Sequence, residues 1–366
     1  MTPGPASPDP APPFAVLAEL THRCPLRCPY CSNPVALEPA SAELDTATWK
    51  RVLDEAAEAG ALQVHFSGGE PCVRKDLEEL VAHATQAGLY SNLITSAVLL
   101  DAGRLERLKA AGLQHVQVSL QDVEPGGGDR IGGFRGGHAR KLEVARMVVE
   151  AGLALTINAV LHRHNIERVN DFIDLALALR AGRIEIANVQ YYGWALANRA
   201  ALMPTREQLL TMDARVRERL PSLAGRIVVD YVVPDYYARR PKSCMGGWGR
   251  RFMNVTPAGK VLPCHAAETI PHLEFETVFD RPLPDIWRDG AAFRRYRGTG
   301  WMPEPCQSCE HKEEDWGGCR CQALALAGDA DATDPVCERS AAHAAVAAVR
   351  DRDADSVGTV WRYRGI

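Results

Sequence analysis

Six times between Phe14 and Gln190 a short apolar run gives way to a longer amphipathic one, and no other feature restricts the fold as much. FAVLAEL (14–20), LQVHFSG (62–68), YSNLITS (90–96), HVQVSLQ (115–121), ALTINAVL (154–161) and RIEIANVQ (183–190) read as strands. ATWKRVLDEAAEAG (47–60), KDLEELVAHATQAG (75–88), AGRLERLKAAG (102–112), HARKLEVARMVVEAG (138–152) and NIERVNDFIDLALALRAG (165–182) have helical spacing. Strict alternation predicts an α/β fold, a parallel sheet curled into a partial (β/α)6 barrel, with its chemistry at the carboxyl ends of the strands. The helix TREQLLTMDARVRERL (205–220) is expected to close this unit, which spans 14–240.

Beyond about residue 240 helical periodicity fades, and Gly, Pro, Trp and Cys become dense in CMGGWG, TPAGKVLPC, PEPCQSCE and WGGCRC. Region 241–340 has too few periodic apolar faces to build a core by pattern alone, so bound metal is expected to stabilise it. A disordered Pro-rich tail (1–13) and a partly helical C-terminal tail (341–366) flank these units. The 11 cysteines are grouped: Cys24, Cys28 and Cys31, then Cys72 alone, then seven from Cys244 to Cys337. An odd number without a secretory signal argues against a disulfide framework and for metal in a reducing compartment. A net charge of -4 gives no basic surplus for nucleic acid. No apolar run approaches the roughly 20 residues of a membrane span. A cytoplasmic protein is expected.

Cys24, Cys28 and Cys31 follow the first strand directly and suit three corners of a cubane 4Fe-4S cluster, leaving one iron open. An open iron can chelate the amino and carboxylate groups of S-adenosyl-L-methionine. A structural zinc would need a fourth ligand, and the only local candidate is His22. After the second strand comes SGGEP (67–71), where glycines allow close backbone approach and Glu70 can accept hydrogen bonds from an ammonium. CxxxCxxC with an aromatic before its last cysteine, followed by GGEP, resembles the radical SAM superfamily. The resemblance implies that Cys24, Cys28 and Cys31 hold the cluster and that Gly68, Gly69 and Glu70 contact the methionine amine. It places Ser119 and Gln121 near the ribose and Arg140 at the methionine carboxylate.

Cys244, Cys264, Cys306, Cys309, Asp315, Cys319, Cys321 and Cys337 resemble the SPASM extension, which binds two auxiliary iron–sulfur clusters. Mapped by position, Cys244, Cys264, Cys319 and Cys321 form one site, and Cys306, Cys309, Asp315 and Cys337 the other. The SPASM pattern has cysteine where this chain has Asp315, and no counterpart of Cys321. Carboxylate is a harder ligand than thiolate, which should shift the potential of its iron. Two structural zincs would use the same number of ligands. Cys72 reads as a small buried thiol.

With LHRHNI, QYYGWALANR, PDYY and WMPEPCQSCEHKEEDWGGCRCQA, the chain from about 14 to 340 resembles the peptide cyclases of pyrroloquinoline quinone (PQQ) biosynthesis. That resemblance implies a precursor peptide substrate, PqqA, a separate peptide chaperone, PqqD, an external electron donor, and a carbon–carbon crosslink between Glu and Tyr side chains. The alternative keeps the radical chemistry but acts on another peptide, by thioether formation or sulfatase maturation. PGGGDRIGGFRGG (125–137) is expected as a flexible loop near the active site, with Tyr191, Tyr192 and Trp194 lining the pocket or joining the core.

Overall fold

The computed structural model describes residues 10–232, 234–354, 356 and 360–365. The six expected strands all form, β1 Ala15–Glu19, β2 Gln63–Ser67, β3 Tyr90–Thr95, β4 His115–Leu120, β5 Ala154–Leu161 and β6 Arg183–Asn188, each parallel to the next. Between them lie helices α1 Thr46–Glu58, α2 Leu77–Gln86, α3 Ala102–Ala110, α4 Pro125–Gly132, α5 Gly137–Glu150 and α6 Val169–Ala178. Asp45 and Asp101 cap α1 and α3 by accepting from Thr48 N at 2.8 Å and Arg104 N at 2.7 Å.

The two faces of the sheet differ because side chains alternate along a strand. Outward residues such as Val64, Phe66, Val116, Val118, Ile157 and Ile184 share one core with Trp49, Leu53, Leu80, Val144 and Phe172 of the helices. Each such fully buried side chain contributes roughly 1.5–3 kcal/mol. The inward face is polar. His65 Nδ1 pairs with Asn92 Nδ2 at 3.0 Å, and His115 Nε2 with Thr156 Oγ1 at 2.8 Å. Glu185 Oε2 accepts from Asn158 at 2.6 Å and from Gln117 at 3.4 Å. Gln117 on β4 thus reaches β6 across β5.

Two strands lie beyond the expected six at the sheet edges, and a third caps one of them. Helix Arg206–Leu223 leads into β7 Val228–Tyr231, parallel to β6. At the other edge β8 Phe252–Val255 runs parallel to β1, and β9 Val261–Leu262 runs antiparallel to β8. The order is β7-β6-β5-β4-β3-β2-β1-β8-β9, so the cysteine-rich region continues the barrel's own sheet. These short strands carry too little alternation to be read from sequence. The same region also has an apolar core, with Trp248, Leu262 and Tyr296 packed around Cys264 and Cys321.

The expected flexible loop at 125–137 is corrected over Pro125–Gly132 to the helix α4, and 133–136 form the turn that leads into α5. Pro125 occupies the first turn, where its fixed φ suits a helix. Gly127 and Gly128 are close-packing positions: a Cβ on Gly127 would lie 2.8 Å from Asp122 Cγ, and one on Gly128 3.2 Å from His138 Cδ2. Of the expected N-terminal tail, residues 1–9 lie outside the described residues. Residues 10–13 are docked, with Trp287 Nε1 donating to Ala11 O at 3.0 Å. Among the described residues no helix is long and apolar enough to cross a membrane.

Gly127→Ala is expected to lower the thermal midpoint, by about 1–3 kcal/mol of overpacking strain, in differential scanning calorimetry. Gly126→Ala, where a Cβ meets nothing within 4 Å, should leave it unchanged or raise it.

Candidate active site and auxiliary metal centres

β1 delivers the chain into the loop that carries Cys24, Cys28 and Cys31, and the end of β2 holds that loop in place. Gly69 N donates to Thr21 O at 2.6 Å and Glu70 N to Arg23 O at 2.8 Å. The glycines are needed because the loop backbone lies against them: a Cβ on Gly69 would sit 2.6 Å from His22 O, and one on Gly68 3.1 Å from Thr21 N. Their close approach is to the cysteine loop itself, a role the motif alone does not disclose.

Glu70 is fully buried, and four donors fix its carboxylate. Oε1 accepts from Cys72 N at 3.0 Å and Thr95 Oγ1 at 2.7 Å, and Oε2 from Ser96 N at 2.7 Å and from Ser96 Oγ. Cys72 itself is a buried thiol 3.9 Å from Thr95 Oγ1.

Burial pushes the Cys24 and Cys28 thiols up to about 12, reinforced by Glu70 at Cys24 and opposed by Lys141 at Cys28, and raises Cys31 as well. Three half-buried thiols that resist ionising separately are suited to ionising around a shared polycationic core, as cluster ligands do. His22 does not complete them. Its Nδ1 accepts from Glu38 N at 2.9 Å, and its Nε2 stands 3.8 Å from Glu19 Oε2. Among the described residues no three Cys, His, Asp or Glu side chains converge as they do round a single metal ion.

Of the remaining expected contacts, Ser119 and Gln121 lie together at the end of β4. Both meet Lys141, which the sequence reading passed over. Lys141 Nζ donates to Ser119 O at 2.9 Å and to Gln121 Oε1. Burial lowers its ammonium to about 8, while the nearby Cys28, Glu70 and Cys24 favour the charged form. Arg140 is turned elsewhere, donating to Glu143 Oε2 at 2.7 Å and Leu100 O at 2.6 Å. The signal for Lys141 is its position one residue along α5, where the helix faces the core; spacing could not choose between adjacent bases.

In the C-terminal region Cys244, Cys264, Cys319 and Cys321 are near one another, and interaction with Cys264 and Cys319 holds the Cys244 thiol below the usual range. Cys306, Cys309, Asp315 and Cys337 instead line one cavity of about 310 Å³. Burial raises the carboxyl of Asp315, whose Oδ1 accepts from Gly317 N at 2.9 Å. The two donor sets, one all thiol and one mixed, suit iron–sulfur chemistry.

A radical SAM superfamily model matches residues 18–176, and a model of the SPASM iron-sulfur cluster-binding domain matches 244–310. The curated PqqA peptide cyclase of Xanthomonas axonopodis pv. citri is 60% identical over 353 residues, covering 96% of this chain and 95% of that one. The one from Rhodopseudomonas palustris is 61% identical over 96% of this chain and 94% of its own length. This chain belongs to the PqqA peptide cyclase family of radical SAM enzymes. It is therefore an enzyme whose cofactors are a 4Fe-4S cluster, S-adenosyl-L-methionine and SPASM iron–sulfur clusters. In fold it is similar to Streptococcus suis SuiB bound to S-adenosylmethionine, with a TM-score of 0.73 at 20% identity over 91% of this chain and 77% of that one. It is also similar to anSMEcpe with bound AdoMet, at 0.65 and 14% over 94% and 93%.

Two further residues of this cyclase-family chain were invisible to motif reading because their roles are made by distant contacts. Asp334 is buried between the auxiliary sites, its Oδ2 accepting from Cys319 N at 2.8 Å and its carbonyl from Cys337 N at 2.9 Å. Arg320, between Cys319 and Cys321, is buried and donates to Ala330 O at 3.0 Å and Ala332 O at 2.7 Å while stacking 4.6 Å from the Trp301 ring. Tyr192 joins the two regions by hydrogen-bonding His265, next to Cys264, whereas Trp194 is buried and Tyr191 lines a separate cavity of about 340 Å³.

Gly69→Ala is expected to cost most of the iron at the first site while sparing the auxiliary ones. Iron analysis and the loss of a SAM-sensitive electron paramagnetic resonance (EPR) signal would check it.

Proposed function

We propose that this chain is the peptide cyclase that joins a Glu side-chain carbon to a Tyr ring carbon in the precursor peptide PqqA, as a step of PQQ biosynthesis, with PqqD presenting the peptide. The reading is carried by 60% identity to PqqA peptide cyclases over 96% of the chain. Near the cysteine loop stands a buried ammonium, Lys141, a charge complementary to the carboxylate of S-adenosyl-L-methionine.

When bound, the cluster held by Cys24, Cys28 and Cys31 and its S-adenosyl-L-methionine supply hydrogen-atom abstraction from an unactivated C–H bond, which no side-chain acid or base performs. The backbone of Gly68 and Gly69 would receive the methionine ammonium, on a turn that Glu70 fixes through its four donors. Lys141 has three donors and spends two on Ser119 and Gln121, leaving one for the methionine carboxylate. Arg140 is committed to Glu143, so we assign the carboxylate contact to Lys141 instead. Ser119 and Gln121 would then flank the ribose. The polar inner face, with His65, Asn92 and Glu185, offers hydrogen bonds to a peptide entering the barrel.

Joining two C–H positions removes two hydrogen equivalents, and one abstraction accounts for only one of them. The auxiliary sites, at Cys244, Cys264, Cys319 and Cys321 and at Cys306, Cys309, Asp315 and Cys337, would supply the electron acceptor for the other. An external donor would provide the initiating electron.

Anaerobic incubation with PqqA, PqqD, reductant and S-adenosyl-L-methionine should yield a peptide lighter by two hydrogens in mass spectrometry, with Glu and Tyr joined in its fragmentation. An unmodified peptide beside accumulating 5′-deoxyadenosine would reject the substrate. Lys141→Met is expected to weaken S-adenosyl-L-methionine binding about tenfold or more, the scale of a lost charged hydrogen bond, in anaerobic calorimetry, and Arg140→Met to leave it unchanged. Asp315→Ala should abolish crosslinking while 5′-deoxyadenosine still forms.

A further inference from the structure

The last described segment, 360–365, lies as a strap across the cysteine loop. Asn198 clamps it through both backbone groups of Arg362, accepting from its N at 2.7 Å and donating to its O at 2.7 Å, and donates also to Pro29 O at 2.8 Å in the loop. Arg364 N donates to Arg27 O at 3.2 Å, and Arg27 Nε returns a bond to Arg364 O at 3.3 Å. Tyr363 OH donates to Arg130 O at 2.7 Å, and the Trp361 ring packs 5.1 Å from His164 and takes the Arg130 guanidinium at 5.0 Å.

This strap carries a cation into the interior. Arg364 is 1% exposed, and its hydrogen-bond partners among the described residues include His22 O, Asn33 Oδ1 at 3.4 Å and Gly365 O at 3.3 Å. Its Nε has no hydrogen-bond partner. Asn33 Oδ1 also takes the Cys31 thiol at 3.4 Å, so the guanidinium and the thiol meet at one acceptor. Burying a guanidinium costs several kcal/mol, and carbonyl oxygens do not neutralise it. A three-thiolate cubane is a net anion whose negative charge grows on reduction, and cluster potentials depend on such surroundings.

We propose that Arg364 is a positioning residue that provides the counter-charge of the first cluster and raises its reduction potential. The proposal rests on the assignment of Cys24, Cys28 and Cys31 to that cluster. The sign follows from charge: a fixed cation stabilises the more negative, reduced form, so removing it lowers the potential.

The test is an EPR-monitored redox titration of anaerobically prepared, fully loaded wild type, Arg364→Gln and Arg364→Lys. For Arg364→Gln we expect at least a tenfold shift of the one-electron equilibrium toward the oxidised cluster, about 59 mV, with the auxiliary midpoints unmoved and Arg364→Lys near wild type. Arg364→Gln failing to hold the cluster while Arg364→Lys holds it has the same meaning. An unchanged midpoint in loaded Arg364→Gln overturns the proposal. So does an equal fall, or equal loss of cluster, in both variants, since packing rather than charge would then be at work. Failure of the underlying assignment shows separately, as a Cys31→Ala variant that keeps the SAM-sensitive EPR signal.

Discussion

Everything at the mouth of the barrel depends on two backbone hydrogen bonds, Gly69 N to Thr21 O and Glu70 N to Arg23 O, which stitch the turn after β2 to the cysteine loop after β1. They form only because residues 68 and 69 lack a Cβ, and they hold the three cysteines and Glu70 as one unit. Thr95 and Ser96, from the end of β3, then lock the Glu70 carboxylate from the far side. Three consecutive strand ends therefore define one rigid corner.

A second constraint is the shared sheet. Because β8 pairs with β1, the strand that leads into the first cysteine loop also borders the region holding the auxiliary ligands. That common edge, with Tyr192 bonded to His265, links two centres whose chemistry must be coupled if one abstracts hydrogen and the other takes an electron. A hinged pair of domains would not fix their separation.

Buried charge is the third theme. Lys141, Arg320 and Arg364 are all cations taken out of water, and each is hydrogen-bonded to backbone or amide oxygens near thiol groups. Cations in such places are costly alone. They are suited to polyanionic iron–sulfur–thiolate centres, where they offset charge that the clusters bring.

Sequence alone determined the six central strands, the helices between them and the grouping of the cysteines. Period-2 and period-3.6 apolar patterns and i, i+4, i+7 thiol spacing are local properties of a chain. The family motif followed from the same local information, as did Glu70. Tertiary structure decided what depends on distant residues meeting. α4 is a helix because its glycines pack against Asp122 and His138, although composition suggested a loop. Lys141 rather than Arg140 faces the cysteines because α5 turns that side inward. β7 and β8 exist because the sheet edges offer unpaired backbone to short segments. Arg364 reaches His22 across more than 300 residues of sequence, an interaction no local pattern encodes, because it is created only when the folded barrel presents a buried acceptor to the returning chain.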